Sequence, residues 1–280
     1  MEPRGHRCPP YGDRVNHDFQ AWLYKEGQSS AGALEYVTET VSALAMARQP
    51  RLILPKQPHH ILQRANDPQL IFRDDEDHAQ FLVWLKEAAR FYKVAIHAYA
   101  LLPTHLQLLA TPPDEESLAA MMQKIGRLYV PWYNAKYARA GGLFEGRFRT
   151  AVVDTDRHFL MCSRFIELAP VREGQAMEPG QYAWSSYPHH AGLRPDPVIT
   201  DHALFWELGN TPFQREAAYT DLVQQGIAPD ELALIASSVQ KGQPLGTQAF
   251  KIALEQKSGR RILPAKRGRP ARKPEPSSAD

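Results

Sequence analysis

Cysteine is nearly absent: the chain has only Cys8 and Cys162. Two cysteines give neither a disulfide framework nor a zinc cluster, and they suit a reducing cytoplasm. Long apolar runs are missing as well. No stretch approaches about 18 uncharged apolar residues, which excludes a helical membrane span. The first residues, MEPRGHRCPPYGDR, carry charge and proline where a secretory signal needs an apolar centre. Acidic side chains are missing from residues 257–273, which hold eight basic ones. The net charge is +2, and the last seven residues carry two acids, so residues 1–256 stand at −4. A basic tail on a mildly acidic body points to a polyanion, most often nucleic acid; the alternative is a solvated end.

What is present is ordinary globular chemistry. The chain is 43% hydrophobic, 10% aromatic and 23% charged over 280 residues. That excludes disorder throughout and suggests about two domains. Residues 1–45 are polar with weak periodicity. Met46 then opens MARQPRLILP in the manner of a protein start. Residues 1–45 are therefore expected to be an upstream extension, the alternative being a genuine amino-terminal arm.

From residue 51 the pattern sharpens. Alternation predicts a strand at HHILQR, 59–64. Asp74 or Asp75 can cap a helix carrying Phe81, Leu82, Leu85, Ala88, Ala89 and Tyr92 at helical spacing. A second strand is expected at 94–101, with Val94, Ile96, Ala98 and Ala100 on one face. A third follows at 105–110 after Pro103. A helix over about 115–138 carries Leu118, Met122, Ile125, Tyr129 and Trp132, and Pro131 should kink or split it. A short strand at 148–153 precedes a helix capped by Asp156 and stopped at Pro170. After about residue 200, helices fit 212–225, 229–241 and 247–257, with Thr211-Pro212 as a start signal. Residues 261–280 are rich in proline and charge and are expected to be disordered. The order of strands and helices is an α+β plan, an antiparallel sheet with helices on one face.

Segments spread along the chain resemble one family. They are ILPKQPHHILQRANDPQLIFRDDED from residue 53, IHAYALLPTHLQLLATP at 96–112, GGLFEGRFRTAVV at 141–153, FIELAPVREG at 165–174 and YAWSSY at 182–187. Together they resemble the REP-associated tyrosine transposases, a branch of the single-tyrosine HUH transposases. The resemblance covers residues 46–200; 201–260 form a helical carboxy-terminal region. It implies a ferredoxin-like sheet, Mg²⁺ or Mn²⁺ as cofactor, and DNA hairpins with single-stranded flanks as partner. It implies no membrane association and a nucleoid-associated, cytoplasmic location.

In that family two histidines one residue apart on a strand hold the metal with a third ligand, and a tyrosine attacks the scissile phosphate. The His-x-His position here reads His105-Leu106-Gln107. The tyrosine position is Phe165, and the third-ligand position is Ala169. Phenylalanine has no hydroxyl, alanine no donor atom, and an amide oxygen binds such cations weakly at a site suited to imidazole. The expectation is a DNA-binding protein that has lost cleavage. One alternative is an active nuclease with a relocated nucleophile among Tyr99, Tyr129, Tyr133 and Tyr137. Another is a module for structured RNA. His59-His60 should face opposite ways on a strand and so cannot share a metal. His189-His190 follows Pro188 and is expected to be solvated.

Lys124, Arg127, Lys136, Arg139, Arg147 and Arg149 interleave with Tyr129, Trp132, Tyr133, Tyr137, Phe144 and Phe148. Cations along a backbone with aromatic faces for bases suit single-strand binding, and about half of these aromatics should be core. In the tail, Arg267-Gly268-Arg269-Pro270 resembles an AT-hook. Its glycine would let the backbone lie deep in a minor groove, with flanking arginines following A·T potential.

Overall fold

A computed structural model describes residues 51–66 and 69–263. The expectations for residues 1–45 and for the AT-hook-like segment fall outside them. The four strands are β1 (His59–Arg64), β2 (Ala95–Leu102), β3 (His105–Thr111) and β4 (Arg149–Val152). α1 (Asp75–Tyr92) lies between β1 and β2, and α2 (Ser117–Lys136) between β3 and β4. All pairings are antiparallel and the spatial order is β2-β3-β1-β4. This βαββαβ order is the ferredoxin-like arrangement of an α+β fold.

Local chemistry sets the helix ends. Asp74 is extended and accepts from the Asp77 N–H, so the first turn of α1 is capped as expected, an interaction typically worth about 1 kcal/mol. Pro131 does not split α2. A mid-helix proline costs about 3 kcal/mol. Burial of Ile125, Tyr129 and Tyr133 on the same helix holds it together. Pro131 itself is exposed, so the carbonyl it orphans can reach water.

β2 departs from the expected alternation. A bulge between Ile96 and Ala98 shifts the register. Ile96, Tyr99 and Leu101 therefore join one core, while Ala98, Ala100 and Leu102 join the other. One added residue reverses the facing of everything after it. The first core packs Ile61, Leu106 and Leu108 against Phe81 and Leu85 of α1 and Ile125 and Tyr129 of α2.

The second face is covered too, which extends the one-sided plan expected from sequence. α3 (Thr155–Glu167) follows β4, then the short α4 (Ala169–Arg172). Asp154, not Asp156, is the N-cap of α3, and Pro170 sits inside α4. α5 (Tyr187–His190) and α6 (Ala203–Trp206) are single turns. They lead to α7 (Pro212–Gln224), α8 (Pro229–Lys241) and α9 (Gln248–Ser258). Thr211 and Gln214 form a reciprocal capping box on α7. Phe159, Cys162 and Ile166 of α3 and Ile235 of α8 pack on Ala98, Ala100 and Leu109. Alanines on β2 let α3 approach closely.

Both sheet edges are blunted. Trp184 and Ser186 bond to Leu101 and Tyr99 along β2, and Leu245 bonds to Val152 along β4. Among the described residues no helix is long and apolar enough to cross a membrane.

Candidate functional site

The register of β1 and β3 sets Leu62 opposite Gln107 and Arg64 opposite His105. A period of two puts His60, Leu62 and Arg64 on the same face as His105 and Gln107. α3, α4 and α8 leave a cleft of about 380 Å³ on that face. Its polar lining is Arg64, His105, Gln107, Arg172, Glu173 and Gln240, with Phe165 from α3 and Leu232, Ala233 and Ala236 from α8. The chain thus brings His105, Gln107 and Phe165 together. Ala169 is wholly buried in the adjoining core and does not line the cleft.

A directional hydrogen-bond chain crosses the floor. His60 Nε2 lies 3.0 Å from Gln107 Oε1, and Gln107 Nε2 lies 3.1 Å from His105 Nε2. An amide oxygen only accepts and its nitrogen only donates. So His60 Nε2–H donates to Gln107, the amide N–H donates to His105 Nε2, and His105 carries its proton on Nδ1, 3.3 Å from Thr104 Oγ1. His60 Nδ1 is left as a buried lone pair without a partner among the described residues.

Both imidazoles are held near pKa 4. Burial is the main cause in each; Arg172 adds to it at His60, and Arg64 and Arg172 add to it at His105. Both are neutral at pH 7. Burial raises the Glu173 carboxyl against the pull of Arg172 and Arg64. Its Oε1 lies 3.4 Å from His105 Nε2. The Phe165 ring sits edge-on to His60 at 5.7 Å, and the Arg172 guanidinium lies 4.2 Å above the same ring.

This donor set does not fit a divalent ion, which needs converging lone pairs. The free lone pair of His105 accepts an amide hydrogen, the Gln107 oxygen is taken by His60, and two guanidiniums add positive charge. Among the described residues no group of three or more His, Cys, Asp and Glu side chains could hold a metal ion. Among the described residues no hydroxyl or thiol lines the cleft.

The four candidate tyrosines belong to the opposite core. Tyr129 donates to the Ile71 carbonyl and Tyr133 to that of Leu70, each at 2.6 Å. Tyr137 donates to Asp74 and Asp77, and Tyr99 to Asp196. Burial pushes the pKa of all four up, which weakens them as nucleophiles.

The paired histidines resolve differently. His59 and His60 do face opposite ways: His59 accepts from the Leu54 N–H and donates to the Gln57 carbonyl, tying down the turn before β1. His190 is not solvated, and His189 is half-buried. His190 is buried against Glu167, 2.7 Å from its carboxylate, and His189 lies 3.2 Å from Asp201. A one-turn helix, α5, folds the Pro188 segment inward.

The six cations from 124 to 149 have divided duties. Lys136 is caged by Asp74, Glu76 and Asp77, all within 2.9 Å. Arg139 clamps Asn134, Gln69 and the Gly142 carbonyl. Arg149 bonds the Gln240 carbonyl at the end of α8, and Lys124 sits 4.1 Å over the Phe91 ring. Arg127 and Arg147 are exposed and line a groove of about 820 Å³ between α2 and the segment at 144–148, with Phe144 and Phe148 in its wall. Of the interleaved aromatics, Tyr129, Tyr133 and Phe148 are buried, and Trp132, Tyr137 and Phe144 are half-buried.

Arg64, Arg172 and Glu173 were not among the residues singled out from sequence. A signal existed. Arg172 and Glu173 follow Ala169 by three and four residues, the spacing that shares a helix face. Arg64 follows His60 and Leu62 at the strand period.

No protein-family model matches the chain, and no curated protein sequence matches it. Among solved structures it is similar to a REP-associated tyrosine transposase bound to a REP hairpin, at 12% identity and a TM-score of 0.44, over 56% of this chain and 92% of that one. It is also similar to a protein of Deinococcus radiodurans R1 provisionally assigned as a transposase, at 16% identity and a TM-score of 0.30, over 40% of this chain and 88% of that one. Likenesses this loose assign no residue a role.

Proposed function

We propose that the protein is transposase-derived and binds single-stranded or hairpin DNA without cutting it. The observation that carries this reading is the content of the cleft. His105, Gln107 and Phe165, the positions the sequence resemblance assigns to metal and nucleophile, meet there. They present a neutral imidazole, an amide already hydrogen-bonded on both sides and a phenyl ring. Binding chemistry persists where cleavage chemistry does not. Arg127 and Arg147 stand exposed beside the Phe144 and Phe148 wall, suited to phosphates and to a stacked or inserted base. The tail at 267–270 adds contacts to duplex. The protein works on the nucleoid, in the cytoplasm, and needs neither Mg²⁺ nor Mn²⁺ to bind.

The test is fluorescence anisotropy with labelled DNA hairpins that carry short single-stranded flanks, drawn from repeats near the protein's own coding sequence. DNA hairpins bind, and affinity falls steeply with salt. Arg127→Ala with Arg147→Ala lowers the slope of log affinity against log salt by about 2. Tighter binding of the matched RNA hairpin, or no binding of either, overturns the reading.

A further inference from the structure

We infer that the cleft between β1, β3 and α4 is a metal-free site for one internal phosphodiester group, with Arg64 and Arg172 supplying the positive charge. The inference rests on the DNA-binding reading and says where one phosphate of such a ligand sits.

Charge and hydrogen bonding both point this way. The cleft is lined by two permanent cations and one carboxylate, Glu173. Several arginines elsewhere are spent on structure, Arg139 on three acceptors, Arg164 on the Leu222 and Gly226 carbonyls and Arg194 on the Ala183 carbonyl, whereas Arg127 and Arg147 stand exposed at the other groove. Arg64 and Arg172 have no ion pair, and their side chains no hydrogen bond, among the described residues. Both are exposed, so a polymer can reach them. Arg172 is steadied by the Phe165 ring face at 4.2 Å. A cation–π contact orients a guanidinium and leaves its N–H edge unspent, the edge that matches two phosphate oxygens.

The floor supplies a further donor. One N–H of Gln107 bonds His105, and the second has no acceptor among the described residues. The volume of about 380 Å³ falls in the usual small-ligand range of about 300–1,000 Å³ and so exceeds what a bare ion needs. α8 contributes Ala233 and Ala236, which carry no charge to compete. Phe165 thus has a use that its lack of a hydroxyl does not impair: it is the platform for Arg172.

The experiment follows the side-chain amide resonances of Gln107 and the Nε–H resonances of arginine in the full chain. The probes are thymidylyl-thymidine, which has one phosphodiester and no terminal phosphate, and inorganic phosphate. The dinucleotide shifts Gln107 saturably. Arg172→Ala with Arg64→Ala weakens it about tenfold or more, since charge-assisted hydrogen bonds are lost. Glu173→Gln, at the exposed rim, tightens it severalfold. This second variant removes no packing and keeps the test decisive should the arginine variant fold poorly. A Gln107 signal that does not move, or an affinity indifferent to both variants, overturns the assignment. So does a response to inorganic phosphate alone, which would make the cleft a site for free or terminal phosphate. Hairpin anisotropy runs in parallel. Hairpins bound with Gln107 unmoved sinks the cleft and spares the DNA reading, while dinucleotide in the cleft without hairpin binding does the reverse.

Discussion

The two faces of the sheet are built to different standards. Against α1 and α2 the face is closed. Phe81, Leu85, Leu106 and Leu108 are wholly buried, and the tyrosines that enter it hand their hydroxyls to carbonyls or carboxylates. Against α3, α4 and α8 the packing stops short, and the gap is lined by two arginines without ion partners among the described residues. A folding chain has no reason to leave such a gap, since filling it would add stability. The closed face holds the protein together; the open face is where a ligand has room. Of the residues singled out by the family segments, His105, Gln107 and Phe165 line the cleft, and Ala169 is buried in the core beside it.

This contrast can be broken or sharpened by substitution and pH. The largest effect is expected on the closed face. Phe81→Ala should cost about 3–5 kcal/mol of unfolding free energy in urea titration, as a buried aromatic leaves a cavity. Arg64→Ala and Arg172→Ala should each cost less than about 1 kcal/mol, since neither has an ion pair to lose among the described residues. Equal losses on the two faces would erase the distinction.

Acid comes next. His59, His60, His97 and His105 are held near pKa 4, chiefly by burial, against about 6.5 in an unfolded chain. Between those values the unfolded state binds more protons than the folded one. Stability is therefore complete above pH 6.5 and declines as pH falls toward 4, by on the order of 2–3 kcal/mol for each of these imidazoles. Thermal unfolding across that window checks it; a flat profile would mean these imidazoles are not buried as described. A smaller loss, about 1 kcal/mol, is expected for Tyr129→Phe, which leaves the Ile71 carbonyl without its donor. The smallest effect is a gain. Lys93 ends α1 with φ 55, a conformation glycine adopts freely, so Lys93→Gly should add about 0.5–1 kcal/mol.

Much of the closed face was legible in the sequence. HHILQR, the 74–92 helix and the hairpin around Pro103 follow from alternation, helical spacing and a proline, which are local signals. The bulge at Ile96/Ala98 was not, because one inserted residue leaves composition and propensity unchanged while reversing the faces after it. Pro131 did not split α2, because tertiary burial of Tyr129 and Tyr133 outweighed a local penalty. At the cleft, His105 and Gln107 were legible as a strand pair, and Phe165 through the family segment that contains it. Spacing marked the faces of Arg64 and Arg172 but not their meeting with each other or with the wall from α8, which depends on how α4 and α8 close over the sheet. Nor could spacing tell which of six nearby cations are spent internally. That Lys136 is caged by three carboxylates depends on α1 lying beside α2.

The most direct test of the central claim is a denaturing gel of the unmodified protein incubated with labelled flanked hairpins and Mn²⁺, beside a native gel of the same mixtures. A shifted native band with intact oligonucleotide and no covalent protein–DNA species is the predicted result. A cleaved strand, or a covalent band that survives denaturation, would contradict it and would require a nucleophile outside the cleft lining.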